Sequence, residues 1–142
     1  MTDYKKLIEN FNNCEIRDSK IIIKAELLNF VELIKNHYGF DILKEIIAVD
    51  NQEQGIELIY SFYSTRDEES LLLSYTTETE ASSISSLFDS AVADEKEIFD
   101  LFGIKFLGNE ELKRLYLPED WNGHPLKKDY TESDERLSWN DK

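Results

Sequence analysis

Apolar side chains at Leu27, Val31, Ile34 and Tyr38 recur at i, i+4, i+7 and i+11, with Leu28 and Phe30 flanking them. That period predicts an amphipathic helix over Leu27–Tyr38, stopped by Gly39. An earlier stripe of Tyr4, Leu7, Ile8 and Phe11 predicts a helix over residues 2–11, capped by Thr2 and ended by Asn12 and Asn13. Between the two, residues 14–25 read as a strand. Ile21, Ile22 and Ile23 form its short β-branched run, and Asp18 with Ser19 can turn the chain just before them.

Three further strands are expected. Ile42–Asp50 carries the run Ile46, Ile47, Ala48 and Val49, which reads as buried. Residues 51–55 are polar, end in Gly55 and have hairpin length. Ile56–Ser64 alternates apolar with polar, then turns aromatic at Tyr60, Phe62 and Tyr63. A second hairpin loop over residues 65–69 leads to a strand at 70–77 with Leu71, Leu72, Leu73 and Tyr75. Connections this short join antiparallel neighbours, because a parallel crossover needs about a dozen residues. The expected core sets Ile46, Val49, Leu58, Tyr60 and Leu72 against Val31 and Ile34.

Residues 82–86 are serine-rich but continue into Ile84, Leu87, Phe88 and Ala91, a stripe that predicts a short serine-capped helix. The stripe runs on as Glu95, Ile98, Phe99 and Phe102, and Gly103 ends it. Glu95 therefore falls on the apolar face. A lone buried carboxylate is costly, so either the helix breaks near residues 91–93 or Glu95 meets a cationic or hydrogen-bonding partner. The class is α+β: a small mixed or antiparallel sheet of about four strands, helices packed on one face, and an extended C-terminal arm. Residues 1–106 form the body and residues 107–142 the arm. Pro118 and Pro125 keep the arm from being one continuous helix.

Composition narrows the function. The chain of 142 residues is 41% hydrophobic and 12% aromatic, enough for one globular domain with a real core. No apolar run approaches the roughly 18 residues that span a bilayer, and the first residues lack a secretory apolar region. A single cysteine, Cys14, excludes an internal disulfide framework or a multi-thiolate cluster, and points to a reducing, cytoplasmic compartment. A net charge of −14 opposes binding to nucleic acid or to an anionic membrane surface. The charge is uneven: residues 64–100 hold two basic and ten acidic side chains, whereas residues 112–130 hold four basic and three acidic.

Candidate chemistry is thin. Glu95, Glu97 and Asp100 are conceivable metal or acid–base carboxylates. Glu97 and Asp100 share a helix face at i, i+3, and a solvated face is favoured over metal binding. His37 and His124 are isolated, Cys14 has no base placed beside it, and Gly103 with Gly108 makes no phosphate loop. By elimination there is no self-contained active site. Leu115, Tyr116, Leu117, Trp121 and Leu126 lie in a segment without periodicity, the composition of an interface.

These residues carry a resemblance. Ala91, Glu95-Lys96-Glu97, Asp100-Leu101-Phe102-Gly103-Ile104, Phe106 and Gly108 are followed by Leu112, Arg114-Leu115, Pro118 and Asp120-Trp121. Gly123-His124-Pro125-Leu126-Lys127-Lys128-Asp129-Tyr130 closes the stretch. In this order they resemble the signature of the 30-kDa subunit family of respiratory complex I and of related subunits in energy-converting, membrane-bound nickel–iron hydrogenases. Ala93 stands where that family has tryptophan, Lys96 where it has arginine and Asn109 where it has histidine. Lysine keeps the charge but loses the planar fork of arginine. The resemblance implies a peripheral, cytoplasmic-face subunit of a membrane-bound redox-driven ion pump, an oxidoreductase part not catalytic alone. It implies no cofactor in this chain; iron–sulfur clusters, and nickel–iron in the hydrogenase case, belong to partners. Those partners are a large hydrogenase-like subunit and a small iron–sulfur subunit. The implied partner-facing residues are Glu95, Lys96, Glu97, Asp100, Arg114, Leu115, Trp121, His124, Pro125, Leu126, Lys127, Lys128, Asp129 and Tyr130. The short single-domain build favours the hydrogenase-like branch; the alternatives are the equivalent part of an NADH:quinone oxidoreductase or a free-standing assembly module.

Overall fold

The computed structural model describes residues 14–17 and 19–109. The helix expected at residues 2–11 and the arm beyond residue 109 lie outside the described residues.

The elements run β1 (Cys14–Arg17), β2 (Lys20–Ile23), α1 (Leu27–Tyr38), β3 (Ile42–Asp50), β4 (Ile56–Ser64), β5 (Glu69–Thr77), β6 (Glu80–Ser82), α2 (Ala91–Phe102) and β7 (Lys105–Leu107). Five strands form one sheet in the order β1-β2-β5-β4-β3. The meander β3–β4–β5 is antiparallel, as the short connections require. β2 pairs in parallel with β5, which makes the sheet mixed. The crossover from β2 to β3 passes over two strands, and α1 supplies the length it needs. Residues 14–25 are thus not one strand but an antiparallel hairpin. β6 and β7 form a separate parallel ribbon.

Both helices and the ribbon bury against one face of the sheet. Leu27, Phe30, Val31 and Ile34 of α1 share a core with Ile23, Leu58, Tyr60, Phe62 and Leu73 of the sheet. Ala91 and Ile98 of α2 and Ile104 and Phe106 join it. Tyr60 and Phe62 stack with ring centroids 6.3 Å apart, and Phe88 tilts against Phe62 at 5.4 Å. Gly39 takes φ 77° at the end of α1, and its N–H bonds the carbonyl of Ile34. The positive φ is what favours glycine there; a Cβ would stand 2.9 Å from the Arg66 guanidinium, the far end of an exposed side chain that can swing aside.

Two expected core residues face outward. Val49 and Leu72 are each 38% exposed. A register shift between Leu43 and Glu45 makes Lys44 an extra residue, so Leu43 and Ile46 both point inward. Ala48 and Asp50 follow them, leaving Ile47 and Val49 on the outer face. In β5, Leu71 and Leu73 pair with Phe62 and Tyr60 on the inner face, which sends Leu72 out. The helix expected at residues 82–86 is absent. Ile84 and Phe88 are buried, but through a turn in which the Phe88 N–H donates to the Ile84 carbonyl at 3.0 Å. The helix starts instead at Ala91.

β3 is an edge strand, and α2 lies along it. The Ile46 N–H donates to Asp94 at 3.1 Å, and the Ser90 hydroxyl donates to the Leu43 carbonyl at 3.4 Å. These bonds occupy an edge that would otherwise offer itself for pairing. Burial, followed by repulsion from Glu45, pushes the Asp94 carboxyl upward, while the Ile46 N–H pulls it down.

The two faces predict different mutational costs. Ile34, fully buried, should cost about 2–5 kcal/mol on truncation to alanine. Ile47→Ala on the outer face should cost less than about 1 kcal/mol. Denaturant unfolding of both variants measures this, and equal costs would mean that the faces are misassigned.

Candidate functional site

Glu95 sits on the core side of α2 and is fully buried. The Ser83 hydroxyl and the Asn109 side-chain amide donate to Oε1 at 2.6 Å and 2.9 Å, and the Ile84 N–H donates to Oε2 at 2.9 Å. Ser83 in turn contacts the Ser85 hydroxyl at 2.7 Å and accepts from the Ser85 N–H at 3.1 Å. One carboxylate thus fastens the loop after β6, the helix α2 and the chain leaving β7. The expectation is a cationic or hydrogen-bonding group in the arm or in a partner subunit; among the described residues Glu95 meets three neutral donors, Ser83 and Ile84 of the body and Asn109. Burial raises the Glu95 carboxyl above its usual value. The donors pull it back, Ser83 first, then Ile84 and Asn109, and Asp94 adds a smaller upward push.

Tyr60 approaches from the sheet side. Its hydroxyl is buried without a hydrogen-bond partner, and its pKa is raised well above the usual value by burial, then by Glu95 and Tyr75.

The other expected site residues separate. Lys96 is half-buried and Glu97 exposed, whereas Asp100 is fully buried. Glu97 and Asp100 do not share the solvated face that their spacing predicted, since Asp100 is buried. His37 is exposed and Cys14 half-buried. Arg114, Leu115, Trp121, His124, Pro125, Leu126, Lys127, Lys128, Asp129 and Tyr130 lie outside the described residues. Sequence reasoning misses Ser83 and Asn109 as Glu95's donors. They stand 12 and 14 residues from it, in loops where no periodicity points at them.

Among the described residues, no three His, Cys, Asp or Glu side chains converge as a metal site, and no helix is long and apolar enough to cross a membrane. The Glu95 arrangement braces the fold by tying three segments to one carboxylate.

A sequence model of the respiratory-chain NADH dehydrogenase 30 Kd subunit matches residues 21–136. The chain belongs to this family. It is 33% identical over 129 residues to the C-type subunit of NADH-quinone oxidoreductase from Moorella thermoacetica, covering 84% of this chain and 87% of that one. It is 34% identical over 129 residues to NADH dehydrogenase (ubiquinone) iron-sulfur protein 3 of Beta trigyna, covering 88% and 67%. It is 35% identical over 120 residues to the C/D-type subunit of NADH-quinone oxidoreductase from Phocaeicola vulgatus; the match covers 80% of this chain but only 23% of that longer protein. The names of these relatives all place them in quinone- or ubiquinone-linked NADH dehydrogenases. They back that alternative better than the hydrogenase-like branch favoured by the sequence alone.

Removing the buried carboxylate should be costly. Glu95→Ala leaves the Ile84 N–H and the Asn109 amide without their acceptor and is expected to destabilise by about 2–4 kcal/mol. The pH dependence has a definite sign. The folded chain holds the Glu95 proton to higher pH than the unfolded chain, whose value is near 4.5, so the folded state binds more protons in that window. The stability of the parent relative to Glu95→Gln should therefore fall as pH rises from about 4.5 through the raised folded value, then level off. A difference that grows with pH would contradict this burial.

Proposed function

We infer that this protein is a non-catalytic scaffold subunit in the peripheral arm of a membrane-bound NADH:quinone oxidoreductase. The observation that carries the reading is the family match over residues 21–136, which takes in the arm motif as well as the body. The subunit holds no redox cofactor of its own; the iron–sulfur clusters belong to its neighbours. It sits on the cytoplasmic face, touching the membrane only through partner subunits.

Its partners are the large subunit, which answers to the D portion of the fused C/D relatives, and the small iron–sulfur subunit. The arm does the docking. Trp121, Leu115 and Leu126 are apolar anchors, while Arg114, Lys127 and Lys128 are cationic contacts. An arm of net charge +1 over residues 112–130 leaves a body that is strongly acidic. Leu117, Pro118 and Gly123-His124-Pro125 favour an extended path, which lays side chains along a neighbour instead of into the chain's own core. Glu95 fixes the arm's point of departure through Asn109.

Truncation after Glu111 tests this. The expected product folds, with circular dichroism and melting close to the parent, and no longer co-purifies with the large subunit. Trp121→Ala should weaken association by about 2 kcal/mol or more, roughly 30-fold. A truncated chain that unfolds would assign the arm to the protein's own core. A chain that joins nascent complexes but is missing from the mature enzyme would be an assembly factor instead.

A further inference from the structure

Glu95 keeps its place without a counter-charge. Its partners are the Ser83 hydroxyl, the Ile84 N–H and the Asn109 amide, all neutral. The titratable groups that act on it are themselves acids: Tyr60 of β4 and, beside it on α2, Asp94, whose carboxylate accepts from the Ile46 N–H. Among the described residues the ion pairs join Arg17 to Glu15, Lys20 to Glu57 and Arg66 to Asp67, so none reaches Glu95. A buried carboxylate with no cation opposite it gains by taking up a proton, which removes the desolvated charge. Glu95 itself has no exposed surface through which that proton could arrive.

One of the three donors can carry it. An amide N–H donates without accepting, so Ile84 and Asn109 hold the carboxylate and relay nothing, whereas a hydroxyl donates one hydrogen bond and accepts two. Ser83, 5% exposed, donates to Glu95 Oε1 at 2.6 Å, and the Ser85 hydroxyl lies 2.7 Å from the Ser83 oxygen. Ser85 is half-buried and Ser86 exposed, so exposure rises from the carboxylate outward. Both links fall within the roughly 2.6–3.2 Å reach that proton transfer needs. The Ser85 N–H donates to Ser83 Oγ at 3.1 Å and fixes the turn that brings the two hydroxyls together. The Leu87 and Phe88 N–H groups both donate to the Ile84 carbonyl at 3.0 Å, which holds the same turn against the core. The serine-rich stretch that makes no helix thus sets two hydroxyls in line with a buried acid.

We propose that Glu95 is an internal proton-binding site, loaded and unloaded from solvent through the hydroxyls of Ser85 and Ser83. With the carboxylate ionised, Ser85 donates to Ser83 and Ser83 donates to Glu95 Oε1. A hydronium ion at the surface gives its proton to the Ser85 oxygen as the Ser85 proton passes to Ser83 and the Ser83 proton to Oε1. One proton enters, a water molecule is left behind, and neither serine keeps a charge. Every bond in the row then points outward: Glu95 donates to Ser83, Ser83 to Ser85 and Ser85 to water. Ser83 accepts the Ser85 N–H in both states, so its one donor and two acceptor positions are filled in each. The Ile84 and Asn109 donors need not move. The interior charge changes by one with no exchange of partners. Docking through the arm neither requires this site nor follows from it.

Nuclear magnetic resonance of the full chain with carbon-labelled glutamate side chains tests this. Glu95 is the carboxyl signal missing from Glu95→Gln, and its shift is followed against pH. It should titrate reversibly, above the range of the exposed glutamates, while the chain stays folded, because burial raises it. A carboxyl that remains ionised until the chain unfolds overturns the proposal. The route is read from the proton-exchange rate at the midpoint of the titration. Ser85→Thr keeps the hydroxyl; Ser85→Val has the same shape without it and fills the space a substitute water would need. Exchange should be slower by about tenfold or more in Ser85→Val than in Ser85→Thr when both melt alike. Equal rates overturn the relay. Should either variant fold poorly, the parent chain decides alone, since dilute urea promotes local opening. Exchange that stays flat in urea below the unfolding transition supports the relay, and exchange that accelerates there belongs to opening and overturns it.

Discussion

A carboxylate inside a protein must be answered by donors, and Glu95 organises the described half of this fold that lies off the sheet. Ser83, Ile84 and Asn109 come from segments with no helix or long strand to fix them. The ribbon β6–β7 has three residues per strand, too short to hold itself together. Bonds to a charged acceptor are the stronger kind, and they supply what the ribbon lacks. The same bonds decide where the chain stands when it leaves β7. A packing requirement on α2 thereby fixes the position of Asn109 just past β7.

Much of the fold is legible in the sequence, and the failures have physical causes. The period of α1 and the turn residues around β3, β4 and β5 are local signals, and those elements fall where the pattern puts them. Val49 and Leu72 mislead because a sheet apolar on both faces looks like a buried run, and because no residue type announces the bulge at Lys44. Residues 82–86 mislead because Ile84 and Phe88 are equally suited to a helix stripe and to a turn packed on the core. β6 and β7 owe their pairing to each other across 25 residues, which no local pattern encodes. At the site, burial of Glu95 follows from its place on the stripe. Its donors do not follow, since their contribution depends on loops meeting in space.

The two faces of the sheet divide the labour of the molecule. The inner face carries the aromatic residues, both helices and the ribbon, so stability is concentrated there. The outer face mixes exposed Ile42, Ile47, Val49 and Leu72 with Glu45, Glu57, Ser61 and Ser74, so changes there cost the core little.

The Lys96 position shows where sequence identity and geometry part. An arginine fork could hold two acceptors in one plane, whereas a lysine ammonium is a single charge on a flexible stem. Lys96 lies between buried Glu95 and exposed Glu97 on α2, half-buried itself. Glu95 is already satisfied by three neutral donors, so Lys96 is free of the task of neutralising it. The exchange from arginine then falls on contacts outside the Glu95 cluster, where a point charge can still serve an acidic neighbour. Asn109 makes the complementary case. It stands where the family has histidine, yet its amide reaches Glu95 at 2.9 Å, a neutral donor that does not titrate near pH 7. The Asn109–Glu95 bond is consequently insensitive to ionisation of the residue at position 109. The pH response of that bond rests with the Glu95 carboxyl.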